Sequence, residues 1–461
     1  MDILLINPGK IRHDYITEHL GIASLKSFVN SRGFEAETLD MAIESLSVPE
    51  AISFIQSSNP KIVGISLLDD SRTRGLTLIS TLRKAGYEGY IVVGGYFATF
   101  SASELLRDYP GIDFVVRGEG ELTLTELLER LLYQQGLPIE EIQGITYRDH
   151  IRIVQNPDRP LITDLDILPP VDRKYSRAVL DRGSALRVFG TRGCWGQCTF
   201  CDIIALYGSS SGKAWRSRSI KKLVDELEQL VKEFDTRYFV FNDDQFLLKG
   251  KKGRERVLKF AAELKRRNLR IEFELMCRAD TVQRDIMKEL QSVGLKRIFI
   301  GLESFDQQQL ERFQKRVSVR QNLKALMTLY QLKIDVVASV ILADAYTTIG
   351  DMVKQFMFLF ELKRRYFNSP NCEISVNPKI EIYRGSSIYR EYKRQGLLTT
   401  DHYLQGYDYK LKFWTSIRLL LFSLETKLGR IIMRPGDLLK KYGLAMRWTL
   451  GQLRNFLAFQ R

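Results

Sequence analysis

Residues 187–202 read RVFGTRGCWGQCTFCD, a short apolar strand that runs straight into Cys194, Cys198 and Cys201 in a C-x3-C-x2-C window. Three of the chain's five cysteines lie here, too few overall for a disulfide scaffold. Clustered thiolates just past a strand suit a soft metal. A structural zinc ion would want a fourth Cys or His close by, and none of His13, His19, His150 or His402 is near in sequence. Three thiolates on a four-iron cluster instead leave one iron open to coordinate a substrate or cofactor.

Working outward from the window, strands are predicted at 187–191, 237–242, 271–276, 296–301, 334–342 and 373–382. Helices are predicted at 219–234, 253–267, 283–293, 318–332 and 349–365. Six such units predict a partial (β/α)6 barrel over 187–400, with chemistry at the carboxyl ends of its strands. Upstream, residues 1–136 alternate strands at 2–6, 35–39, 61–67, 90–94 and 112–116 with segments of helical periodicity. That alternation predicts a doubly wound parallel sheet whose ligand sits beyond the strand ends. Residues 137–186, with a small hairpin at 145–155 and a proline-bearing stretch, read as a linker. The fold class is α/β, closed by a C-terminal extension at 401–461 that reads as basic amphipathic helices.

Composition agrees with a globular chain of two or three domains: 461 residues, 44% hydrophobic and 27% charged. Gly 32 and Pro 12 exclude collagen-like and low-complexity classes. MDILLINP at the start reads as a strand, not a signal peptide, and no run reaches the ~18 to 20 apolar residues of a membrane span. A cytoplasmic location with reduced thiols is expected. The net charge is +14, and +8 of it lies beyond residue 406. Such an excess predicts an acidic partner.

The cysteine triplet and the six β/α units resemble the radical S-adenosylmethionine (SAM) superfamily. The resemblance implies a [4Fe-4S] cluster on Cys194, Cys198 and Cys201 whose open iron chelates SAM. It also implies an external reductant such as flavodoxin or ferredoxin. Cleavage of SAM would release a 5′-deoxyadenosyl radical that takes a substrate hydrogen. Three further segments at consecutive strand ends resemble SAM-contacting parts of that family: Asn242, Asp243 and Asp244 in FNDDQF, Arg278 in CRAD, and Glu303 and Ser304 in GLES. Alone, an Asp pair after a strand reads as a helix cap. Trp215 to Ser219 (WRSRS) resembles the family too, against a plain reading as a helix N-cap with a solvated arginine pair.

The first domain resembles the cobalamin-binding domain fused to many radical SAM enzymes. The likeness rests on the early NPG turn, HLGIASL (19–25), GISL (64–67), VVGGYFAT (92–99) and VVRGEGELTLTELL (115–128). It implies a cradle for the cobalamin nucleotide tail from Ser66, Leu68, Gly94 and Gly95, with Gly118, Glu119, Gly120 and Glu121 on the same strand-end face. Glycine there lets backbone approach a bulky ligand. Two features depart from pattern. The D-x-H-x-x-G segment that supplies a histidine to cobalt is missing, although His13 and His19 lie nearby. In ILADAYTTIGD (341–351), Ala345 stands where relatives have proline.

Two outcomes of hydrogen abstraction compete. The favoured one is epimerisation of residues in a ribosomal peptide natural product, as in proteusin-type epimerases. Cys372 or Cys277 would then return a hydrogen from the opposite face. The alternative is cobalamin-dependent C-methylation; radical dehydration or rearrangement of a small metabolite, and a non-enzymatic iron–sulfur sensor, stand behind it. The excess charge suits an acidic precursor peptide. A membrane surface would also suit the tail, whereas no nucleic-acid recognition module is visible.

Overall fold

The computed structural model describes residues 1–9, 16–366, 372–404 and 406–409. His13 and nearly all of the basic extension lie outside the described residues.

The first sheet holds β1 (Ile3–Asn7), β2 (Ala36–Asp40), β3 (Ile62–Ser66), β4 (Tyr90–Gly94), β5 (Phe114–Val116), β6 (Ile145–Asp149) and β7 (Arg152–Gln155). Their order is β2-β1-β3-β4-β5-β6-β7, and the first five run parallel. Helices cover both faces, which is why β1 and β3 are buried along their whole length. Helix Val48–Ser58 shows how locally the elements are specified: Ser47 and Glu50 form a capping box around its first turn. The order reverses at β1, so the crevice at the carboxyl ends of β1 and β3 is the expected ligand site.

The hairpin at 145–155 is present, but it is not free linker. β6 pairs antiparallel with β5 and extends the first sheet. Ile145 of β6, with Ile142 just before it, completes the core beneath that edge, which drives the addition.

The barrel begins with β8 (Leu186–Val188). A ribbon of β9 (Thr191–Arg192) and β10 (Arg216–Ser217) follows, then β11 (Tyr238–Phe241), β12 (Glu272–Arg278), β13 (Leu295–Glu303), β14 (Asp335–Ile341) and β15 (Glu373–Asn377). Six strands lie side by side, all parallel, in the order β15-β14-β13-β12-β11-β8. Alternate residues such as Phe239, Phe241, Phe273 and Ile298 pack outward under the helices and form the largest core. Tyr238, Glu274, Met276, Phe299 and Ser339 occupy the alternate positions and face the barrel interior. After the barrel, β16 (Leu398–His402) and β17 (Gly406–Tyr409) form a hairpin where a helical extension was expected to begin. Tyr407 and Tyr409 of this hairpin pack on Tyr389 and Tyr392 of helix Ser387–Arg394, which anchors it against the barrel's end. No helix among the described residues is long and apolar enough to cross a membrane.

Candidate active site at the facing strand ends

The cysteine window is shaped by the carboxylates after β11. Gly193 has φ 77, and a Cβ there would lie 1.9 Å from the Ala214 carbonyl oxygen, so only glycine fits this turn. Its N–H donates to Asp244 at 2.9 Å. Asp243 accepts from Gly190 N at 3.0 Å and from the Thr191 hydroxyl. Burial pushes both carboxyls up to about 6. Asp243 is 1% exposed and wholly engaged in shaping the loop, so it is not the ligand contact that was expected. Asn242 and Asp244 do face the large cavity described below.

Arg278 turns toward the cysteines. Arg278 Nη1 lies 3.5 Å from Cys198 Sγ, and Asp280 grips the same guanidinium through Nε and Nη2 at 3.1 Å each. Arg278 and Lys249 each lie 4.7 Å from the centre of the Trp195 ring. Glu303 accepts from Lys315 Nζ at 2.7 Å, and both are buried. Ser304 is fully buried; its hydroxyl bonds Gln355 at 3.0 Å and accepts from Asp306 N at 2.9 Å, so it shapes the turn and is not open to a ligand. Lys315 belongs to no motif. Sequence reasoning missed it because a lone lysine carries no spacing signal.

The cavity, about 650 Å³, opens between the two halves of the molecule. The four residues expected to cradle the nucleotide tail, Ser66, Leu68, Gly94 and Gly95, line it, as do Gly118, Glu119, Gly120 and Glu121, expected on the same strand-end face. From the barrel side come Arg187, Phe189, Arg192, Tyr207, Asn242 and Asp244. Gly95 has φ 96 and a virtual Cβ 2.7 Å from Leu67 O, while Gly118 at φ 71 borders open space. His19 caps helix Leu20–Ser31: its Nδ1 accepts from Ile22 N at 3.2 Å. Nε2 therefore carries the proton of the neutral ring and donates to Ser66 Oγ at 3.1 Å. Burial pushes this imidazole's pKa down.

The two glutamates do more than line the cavity. Glu119 accepts from Arg192 at 3.1 Å, from Arg216 at 2.7 Å and from Ile162 N at 2.8 Å. Glu121 accepts from Arg192 and from Ser24 Oγ, and the arginine holds its carboxyl below the usual range against the opposing effect of burial. Trp215 to Ser219 is thus a bracing segment. Ser219 caps helix Ile220–Phe234 as the plain reading held, but Arg216 and Arg218 are buried ion-pair partners and not solvated.

Neither spare cysteine can serve as a hydrogen donor from its place in the fold. Cys372 precedes β15, at the amino end of the barrel. Its Sγ is 3.4 Å from Val336 N and 3.9 Å from Asp335 Oδ1, at the start of β14. The working ends of the strands are roughly 15 Å away, at about 3.3 Å per residue. Cys277 sits near the right end but points outward; it is 2% exposed in the core under the helices, where burial pushes its thiol up to about 12.

The donor set fits a cluster. Cys194, Cys198 and Cys201 are free thiols. Buried without a metal, the Cys201 thiol is pushed up to about 12, a penalty that ligation would reverse. Among the described residues no three His, Cys, Asp or Glu side chains converge on a single-ion site. A cubane needs no such convergence, since each thiolate binds its own iron.

Comparison with known proteins agrees. Residues 10–128 match the B12 binding domain, and residues 188–359 match the radical SAM superfamily. An uncharacterized methyltransferase of Pyrococcus horikoshii is 29% identical over 316 residues, 67% of this chain and 66% of that protein. The anaerobic magnesium-protoporphyrin IX monomethyl ester cyclase of Rubrivivax gelatinosus is 27% identical over 323 residues, 67% of this chain and 56% of that protein. The chain therefore spans less than two thirds of either relative. In fold it resembles the cobalamin-dependent SAM radical enzyme OxsB, solved with aqua-cobalamin and SAM bound. The TM-score is 0.79 at 18% identity, over 100% of this chain and 75% of that one. The chain thus carries a B12-binding domain followed by a radical SAM domain, and the cofactors of that pair are cobalamin, SAM and a [4Fe-4S] cluster.

Proposed function

We propose that this protein is a cobalamin-dependent radical SAM C-methyltransferase. The observation that carries the reading is the single cavity shared by the glycine-lined strand ends of the first sheet and by the barrel strand ends around Asn242 and Asp244. The likeness to the Pyrococcus methyltransferase supports it. The epimerase reading falls with its thiols, since Cys372 lies at the wrong end of the barrel and Cys277 faces the helices.

When bound, the cofactors supply a substrate radical and a methyl group to meet it. The chain's own residues hold and separate the parts. Cys194, Cys198 and Cys201 would ligate the cluster, and Ser66, Leu68, Gly94, Gly95 and Gly118 would cradle the corrinoid tail. Asn242 and Asp244 present polar atoms to the barrel side of the cavity. Phe189 and Tyr207 narrow its barrel wall and exclude water, which protects a reactive carbon centre from side reactions. The interior face of Met276, Phe299 and Ser339 is where a substrate would sit.

Anaerobic turnover with CD3-labelled SAM, cobalamin and a low-potential reductant tests this. Methyl transfer forms both 5′-deoxyadenosine and S-adenosylhomocysteine, and the label appears in product. Formation of 5′-deoxyadenosine alone, with cobalamin bound, would overturn the reading in favour of cyclase-like chemistry, the activity named for the Rubrivivax relative.

A further inference from the structure

The wall around Cys198 carries more positive charge than its ion pairs consume. Arg278 reaches the Cys198 sulfur at 3.5 Å, and Asp280 must serve both Arg278 and Lys249. On the same side Lys315 pairs with Glu303 at 2.7 Å, and its backbone carbonyl accepts from the Arg278 guanidinium that touches Cys198. Three cations thus face two carboxylates. The backbone is bent to hold this pair. Glu303, Gln314 and Arg316 have φ of 64, 47 and 55, placing three non-glycine residues in the left-handed region on either side of one ion pair. Such conformations persist where surrounding structure over-determines them, and they gather at functional sites.

We propose that Lys315, balanced by Glu303, is a positioning residue that sets the reduction potential of the cluster on Cys194, Cys198 and Cys201. The inference rests on the cluster and not on methyl transfer. A [4Fe-4S]2+ core with three thiolates carries one negative charge, and it carries two after accepting one electron from an external reductant. A cation close to the cluster favours the more negative form, and of the three only Lys315 and Arg278 are buried. Burial keeps that effect from being screened by salt.

The test is a dye-mediated redox titration of the reconstituted protein, followed by EPR without substrate or SAM, with iron content measured in parallel. Lys315→Met should lower the ratio of reduced to oxidised cluster at a fixed poise by about tenfold, equal to ~59 mV for one electron. Glu303→Gln should move the ratio the other way. Lys315→Arg should stay near the parent, and the double variant Lys315→Met/Glu303→Gln should return toward it. Where Lys315→Met takes up no iron, Glu303→Gln and Lys315→Arg decide. Equal potentials at full iron content, or shifts of the same sign in the two single variants, would overturn the proposal. Because no methyl acceptor is present, a failed methylation assay leaves this result readable.

Discussion

Glu119→Gln is the sharpest probe of how the two halves are held. The carboxylate is 8% exposed on its side chain and receives Arg192 and Arg216 from the barrel. Gln keeps the shape but removes the charge and turns an amide N–H toward one arginine. Arg192 has a second partner in Glu121 and a ring contact with Phe189, so it is partly compensated. Arg216 has no second carboxylate: it is 4% exposed, keeps only a ring contact with Tyr207 and a hydrogen bond to Ile162 O, and its Nε and Nη2 have no hydrogen-bond partner. Removing one partner of a buried pair costs about 3 to 5 kcal/mol, mostly the burden of the stranded charge. The lower figure applies here because one of the two cations is rescued. For domains of this size, about 3 kcal/mol lowers Tm by about 6 to 12 °C. Calorimetry of the apoprotein reads this directly. Adding Arg216→Met should recover more than half of the loss, because the two sites are in contact and couple. A Glu119→Gln shift below about 2 °C would refute the stranded-charge argument.

Three other outcomes follow. Asp243 is fully buried with its pKa raised to about 6 against an unfolded value near 3.8, so the folded state holds its proton more tightly. Its contribution is present below about pH 4 and lost as pH rises through about 6, worth about 3 kcal/mol in total. Urea unfolding of apoprotein across that range should show a slope that Asp243→Asn removes; an unchanged slope would mean the carboxyl titrates normally. Gly193→Ala should strip most of the iron from reconstituted protein, since its Cβ has no space against Ala214 O, and full iron loading would show that the loop can yield. Cys372→Ala should leave iron content and 5′-deoxyadenosine formation at parent levels. A loss of product with SAM cleavage intact would restore the thiol reading.

The strands, the helices and the three cysteines were legible because each has a local signature: period, cap or spacing. That the glycine-bearing strand ends would line a cavity was legible for a similar reason, since glycines there mark close backbone approach. Asp243 and Ser304 were misread because the sequence gives their position past a strand but not the direction of the side chain. Cys372 illustrates the same limit. Its strand was located correctly, yet a residue five positions from a strand's working end belongs to the other mouth of the barrel. Ala345 is more instructive. Its N–H donates to the Tyr392 hydroxyl at 3.1 Å, a bond that a proline in its place could not make. The departure thus has a partner, but one 47 residues away.

What no local pattern could reveal is that charge defines the joint between the halves. Arg173 spans Glu18 and Glu226 at 2.9 and 2.8 Å, and Arg218 shares Glu226, all at 9% side-chain exposure or less. Buried ion pairs like these add little net stability, because desolvation offsets most of the attraction. Apolar contacts would hold the joint more firmly but would tolerate sliding. A carboxylate between two fixed guanidinium groups does not tolerate it, since a small displacement leaves a bare charge in a dry interface. Reaction between a group on one wall and a group on the other depends on placement at the ångström scale. The cleft therefore trades stability for register: its width is set by Glu119 and Glu121, gripped from the barrel side by Arg192 and Arg216, while Arg173 of the connecting segment ties Glu18 to Glu226. Loosening any one of them should disturb the cavity before it disturbs either sheet.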